Sequence, residues 1–107
     1  MSVVVVAVIR ARPTMTQIVL DAFAEVSPLV HEEPGCELYA AHTDGSAVVM
    51  VERWESKQDL EAHSGGAPLK RLGELIGPAL AKAPEVWTLD GVPMGNPGKG
   101  SIHISTS

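Results

Sequence analysis

Cysteine is nearly missing from this sequence: Cys36 is the only one in 107 residues, which excludes an intramolecular disulfide and any cysteine-only metal cluster. A reducing, cytoplasmic setting is the expectation that follows. Aromatic side chains are almost as scarce, Phe23, Tyr39, Trp54 and Trp87 being the full set, so the core must be built from Val, Leu, Ile and Ala. Basic residues are few: eight Lys and Arg stand against thirteen Asp and Glu, for a formal charge of −5. That is the wrong sign for neutralising phosphates, and nucleic acid is not an expected partner. Long apolar runs are absent as well. The longest, Val3 to Ile9, falls well short of the roughly 20 residues of a membrane helix, and no basic segment precedes it. It therefore reads as a strand, not a membrane span or signal peptide. His31, His42, His63 and His103 show no metal-ligand spacing, and Gly65, Gly66 and Gly73 do not follow a strand as a dinucleotide fingerprint requires. Neither a metal nor a nicotinamide or flavin cofactor is expected.

What is present is a 45% hydrophobic chain of a length that suits one domain. Val3 to Arg10 is apolar and β-branched at nearly every position, the mark of a strand buried on both faces. Thr14 followed by Gln17 fits a capping box, and Met15, Ile18, Val19, Ala22, Phe23, Val26, Leu29 and Val30 then recur on one helical face. Pro28 is expected to kink the last turn, and Glu33-Pro34-Gly35 to end the helix. Two strands, Cys36 to Thr43 and Ala47 to Trp54, flank Asp44-Gly45, a dipeptide suited to a tight hairpin. Ser56 with Asp59 opens a short helix carrying Leu60 and His63, which Ser64-Gly65-Gly66 breaks. Pro68 starts a second helical segment through Leu69, Leu72, Leu75, Ile76 and Leu80, and after Pro84 comes a last strand, Glu85 to Leu89.

Strand, helix, strand, strand, helix, strand is the split pattern of a ferredoxin-like βαββαβ fold of the α+β class. Its two helices cover one sheet face and leave the other bare. An apolar bare face on so short a chain needs a partner, so a homodimer is expected. Residues 1–91 are assigned to this domain and 92–107 to a Gly- and Pro-rich tail. In the tail, Ile102 and Ile104 alternate with polar neighbours, the pattern of a short strand that crosses to the partner or lids a pocket.

The run Glu33-Pro34-Gly35-Cys36, then the hairpin, then Glu52-Arg53-Trp54-Glu55-Ser56 and Ala62-His63, resembles the antibiotic biosynthesis monooxygenase family over about Val4 to Leu89. The resemblance implies a dimeric α/β barrel in which two sheets face each other. It also implies cofactor-free oxygenation: a small phenolic, quinol or anthrone-like substrate is deprotonated and reacts with dioxygen. The family's haem-degrading branch carries an asparagine on the first strand and an axial histidine on the segment matching Lys70 to Leu80. Both are missing here, since the sole asparagine is Asn96, and haem is not expected.

Four residues are candidates for the chemistry. His63 is the candidate general base, because an ordinary imidazole titrates near about 6.5 and accepts a phenolic proton at neutral pH; the alternative is a helix-end histidine with a structural hydrogen bond. Trp54 is a candidate stacking wall for a flat ring, or else core. Tyr39 and Ala41 share one face of their strand and Leu38, Ala40 and His42 the other, so Tyr39 and His42 cannot enter the same cavity. Glu52 and Arg53 face opposite sides; they are read as a salt bridge across the dimer, or Arg53 as a group orienting a substrate oxygen. Three functions remain open at this point: a cofactor-independent monooxygenase, with His63 as base, Trp54 as wall and Tyr39 or Arg53 as orienting groups; a non-enzymatic dimeric module that binds a small apolar ligand; and an isomerase or decyclase that uses the same base without dioxygen.

Overall fold

Burial along the first strand shows how the sheet is loaded. In the computed structural model, which describes residues 2–102, strand β1 (Val3–Arg10) buries Val3, Val5, Ala7 and Ile9 but leaves Val4, Val6 and Val8 half-buried. The expected burial on both faces is met on one, because no helix among the described residues covers the other.

The remaining elements are α1 (Thr16–His31), β2 (Cys36–Thr43), β3 (Ala47–Trp54), α2 (Lys57–Ser64), α3 (Ala67–Ile76) and β4 (Glu85–Leu89). The strands lie in the order β2-β3-β1-β4 with every neighbouring pair antiparallel. This is the ferredoxin-like α+β arrangement, its second helix divided in two at Gly65 and Gly66. Register settles which side chains share a face: Val5 pairs with Glu52 and Glu52 with Tyr39, while Val4 pairs with Arg53 and Arg53 with Leu38. Glu52 and Tyr39 therefore lie on the helix-covered side and Arg53 on the bare side. Val19, Phe23, Val26 and Val30 of α1 and Leu72 and Ile76 of α3 join the inner row of the sheet in one aliphatic core.

Local chemistry departs from expectation at three points. Thr14 takes a φ of 69°, so the Thr14–Gln17 capping box does not form; α1 starts at Thr16, and Gln17 donates instead to Asp21. The hairpin is longer than two residues: the Asp44 carboxylate accepts from the backbone of Ser46 and Ala47, and Gly45 takes a φ of 92°. Those two backbone donors hold the Asp44 carboxyl below the usual carboxylate range. The α3 helix ends at Ile76 and not near Leu80, because Pro78 has no N–H to continue the ladder; a 3-10 turn follows, and Leu80 bridges to Ala11. Residues 91–102 hold neither helix nor strand, and most of the expected strand from Ser101 to Thr106 lies outside the described residues.

Candidate active site

The EPGC turn and the ERWES strand end are brought together by α2. Ser56 caps that helix, its hydroxyl accepting from the Asp59 N–H at 3.1 Å and donating to the Asp59 carboxylate at 2.9 Å. Gly35 sits against this cap with a φ of 79°, and the Asp59 carboxylate fills the place where a Cβ would be. The Gly35 carbonyl also accepts from the Glu55 N–H at 2.8 Å. Only glycine tolerates both the left-handed backbone and the close approach. With the turn pinned there, Glu33 reaches the far end of α2, where Gly66 leaves room for its carboxylate.

In the last turn of α2, His63 is 4% exposed and its Nδ1 lies 2.7 Å from Glu33 Oε1. A carboxylate can only accept, so Nδ1 carries the proton and, in the neutral ring, Nε2 keeps a free lone pair. The Trp54 indole, fully buried, stacks on the imidazole with centroids 4.5 Å apart and planes at 28°, while Tyr39 meets it edge-on at 5.7 Å. The indole N–H donates to Glu52 Oε1 at 3.0 Å. Glu52 is itself only 6% exposed. Burial pushes its carboxyl above the usual range, an effect that the Trp54 hydrogen bond and His63 partly offset. The Tyr39 hydroxyl is pushed up as well, by burial first and then by the nearby Glu52 and Glu33.

These groups border a cavity of about 450 Å³ between the sheet and the helices, a size typical of small-molecule sites. Its walls are mainly apolar, from Val5, Ala7 and Ile9 of β1, Phe23, Met50, Leu60 and the α3 residues Leu69, Leu72 and Ile76. Exposed Ser64, Gly73, Pro84 and Val86 mark its mouth beside the β4 edge. Into it face Tyr39, Glu52 and His63. The Tyr39 hydroxyl, Glu52 Oε2 and His63 Nε2 take no hydrogen bond from the described residues, yet no buried side-chain nitrogen or oxygen among those residues is left without a partner. All three atoms therefore keep contact with open space. A phenol placed there meets one base, one hydroxyl and one carboxyl on an otherwise greasy surface.

Of the four residues proposed from sequence, Tyr39 and His63 come together at the cavity. Trp54 does not line it: the indole lies behind His63 and braces the imidazole, so it is no wall for a ligand. Arg53 is on the opposite sheet face, where its Nε donates to Glu37 Oε1 at 2.9 Å and a terminal nitrogen to the Ile102 carbonyl. It cannot orient a molecule in this cavity, and its ion pair is made within the chain. Glu52 lies on the helix-covered face, where its Oε1 accepts from the Trp54 indole. The cavity, too, is enclosed by the sheet and helices of one chain, and not between two facing sheets. Glu33 was missed, because a glutamate before Pro-Gly reads as helix punctuation and its partner is 30 residues away. Among the described residues, no group of three His, Cys, Asp or Glu is placed to hold a metal ion, and no helix is long and apolar enough to cross a membrane.

Comparison with known proteins points the same way as the geometry. The family profile described as antibiotic biosynthesis monooxygenase matches residues 2–74, a span that contains Glu33, Tyr39, Glu52, Trp54 and His63. The Escherichia coli (strain K12) protein named Probable quinol monooxygenase YgiN is 39% identical over 85 residues, spanning 67% of this chain and 82% of that protein. Among solved structures, Rv0793 from Mycobacterium tuberculosis shares the fold with a TM-score of 0.80 at 22% identity, over 90% of this chain and 100% of that one. A Caulobacter crescentus CB15 protein that carries the family's name aligns with a TM-score of 0.77 at 28% identity, over 85% of this chain and 90% of its own.

Proposed function

Because the chain belongs to the antibiotic biosynthesis monooxygenase family, we propose that it oxygenates a small quinol, phenol or anthrone-type ring with dioxygen, using no bound cofactor. The observation that carries this reading is the buried Glu33–His63 pair, with His63 Nε2 open to an apolar cavity of ring-accommodating size. Nε2 takes a proton from the substrate, and the imidazolium that forms is stabilised by the Glu33 carboxylate 2.7 Å from Nδ1. The substrate anion, electron-rich at a ring carbon, adds dioxygen there to give a peroxide. Once that peroxide is protonated by the imidazolium, loss of water leaves a new carbonyl. One oxygen atom stays on the product and the other leaves as water, with all electrons supplied by the substrate. Tyr39 donates to the substrate oxygen, and Trp54 holds the imidazole plane.

The name of the E. coli relative favours a quinol within this class. The bare face supports a homodimer: Val4, Val6, Val8, Val49 and Val51 are half-buried there and Trp87 and Leu89 largely exposed, an apolar surface that a second copy would cover. Oxygen uptake with a panel of hydroquinones and anthrones, without added flavin, haem or metal, tests the proposal. The expected result is turnover that consumes dioxygen in step with substrate, stops under anaerobic conditions and falls by about 10²- to 10⁴-fold in His63→Gln. Conversion that proceeds equally without oxygen would replace it by an isomerase reading, and saturable binding with no conversion by a ligand-binding module.

A further inference from the structure

The polar groups of the cavity are unbalanced in charge. Its lining holds one carboxyl, Glu52, and neither Lys nor Arg. A second carboxylate, Glu33, stands directly behind His63. The cation nearest in sequence, Arg53, is turned to the other sheet face and paired with Glu37. Glu52 is more than nine-tenths buried, and Oε1 is engaged by the Trp54 indole while Oε2 faces the open space.

We propose that this cavity is a charge filter that admits uncharged, hydroxyl-bearing ring compounds and rejects rings carrying a carboxylate or sulfonate, and that Glu52 sets the discrimination. The inference rests on the reading of the cavity as the ligand site, but not on the oxygenation chemistry. Its physical basis is twofold. An anionic ring substituent entering these apolar walls loses hydration that no cation replaces. It also meets the Glu52 carboxylate in a site too dry to screen the repulsion. A phenolic hydroxyl instead finds an acceptor in Glu52 Oε2 or His63 Nε2 and a donor in Tyr39, so it is the neutral ring that has its polar atoms satisfied. The filter also suits the proposed chemistry, in which one negative charge must develop on the ring beside His63; a substrate already anionic would have to carry two.

The test uses two probes of equal shape and different charge, a hydroxynaphthamide and the hydroxynaphthoate of the same substitution pattern, titrated calorimetrically into the intact chain at about pH 8, where the probe acid is ionised. Wild type should bind the amide at least about tenfold more tightly than the acid. Glu52→Gln, which keeps an oxygen acceptor for the Trp54 indole, should narrow that ratio to about threefold or less, chiefly by tightening the acid. Ser64→Lys, a cation added at the exposed mouth, should narrow it in the same direction without touching the buried groups. Equal affinities in wild type, a preference for the acid, or a ratio that survives both substitutions would overturn the filter while leaving the cavity as ligand site. Binding of the amide with none detected for the acid is the filter at full strength, whereas failure of the amide to bind at all would overturn the reading of the cavity and the filter with it.

Discussion

The two faces of the sheet are made from the same strands by alternation, broken by a register shift between Cys36 and Leu38, yet they carry different kinds of residue. On the helix side, Val3, Val5, Ala7, Ile9, Met50 and Trp54 are buried, and the two polar groups buried with them, Glu52 and His63, are both hydrogen-bonded. On the bare side, valines at every second position of β1 stay half-buried and the ion pairs Arg53–Glu37 and Arg10–Glu85 are partly exposed, the first keeping 21% and 32% of its side-chain surface. The first face is specified atom by atom, because a buried polar group without its partner is costly. The second is specified only by area. Under the proposed function, the helix side with its polar network is the face that does the chemistry, and the bare side is the one a second copy would cover.

The sharpest way to break this comparison is to damage one face at a time. Trp54→Ala removes a fully buried indole and should cost about 3–5 kcal/mol of folding stability in denaturant titration, as large aromatic truncations do. It should also release His63. Val6→Asp, by contrast, puts a charge on the bare face, and should leave far-UV circular dichroism unchanged while shifting sedimentation from dimer to monomer. If Val6→Asp unfolds the chain instead, the bare face belongs to the core and the distinction fails.

A smaller effect is expected from the hydrogen bond that fixes the imidazole. Glu33→Gln replaces the acceptor beside Nδ1 by an amide that can present either oxygen or nitrogen, so the ring loses its tautomer preference without leaving its place. Turnover should fall about 10- to 100-fold with KM little changed, the range seen when an orienting partner is lost. A group that only stiffens the fold would lower thermal stability and leave the kcat-to-KM split unmoved.

How much of this was legible beforehand follows from what residue periodicity encodes. Two-residue alternation says that Tyr39 and Ala41, or Glu52 and Trp54, share a face, but not which face a helix will cover, so Arg53 and Glu52 were equally eligible for the cavity. The strand limits and the Ser56–Asp59 cap are local chemistry and emerge as read, while the Asp44-Gly45 turn emerges in place but one residue longer. The Thr14–Gln17 cap is local too, but it lost to the positive φ at Thr14, where the chain turns from β1 into α1. Glu33 was illegible for a different reason: its role depends on Gly35 and Gly66 making room for contacts with α2, a tertiary fact with no short-range signature. Trp54 was legible as large and inward, while its contact with His63 in place of open space required the crossing of α2 over β3.

The finest distinction is between neighbours in the chain, Glu52 and Arg53, one on each face. Burial raises the Glu52 carboxyl, so the folded state holds that proton more tightly than the unfolded chain does. Its stabilising share is thus complete below the ordinary carboxylate range and is lost as pH rises through the folded value. Glu52→Gln abolishes this titration while keeping an acceptor for the indole, so the variant should be more stable than wild type at neutral pH by on the order of 1 kcal/mol, the scale of a desolvated polar group. That advantage should shrink as pH falls toward the ordinary carboxylate range. Arg53→Gln removes half of a partly exposed ion pair and should cost no more than about 1 kcal/mol, with salt reducing the difference and probe binding unchanged. Thermal melts of both variants from acid to neutral pH decide the matter. A Glu52→Gln gain that is flat with pH would mean that the carboxyl is solvated in the folded chain, and the two neighbours would then differ in direction but not in environment.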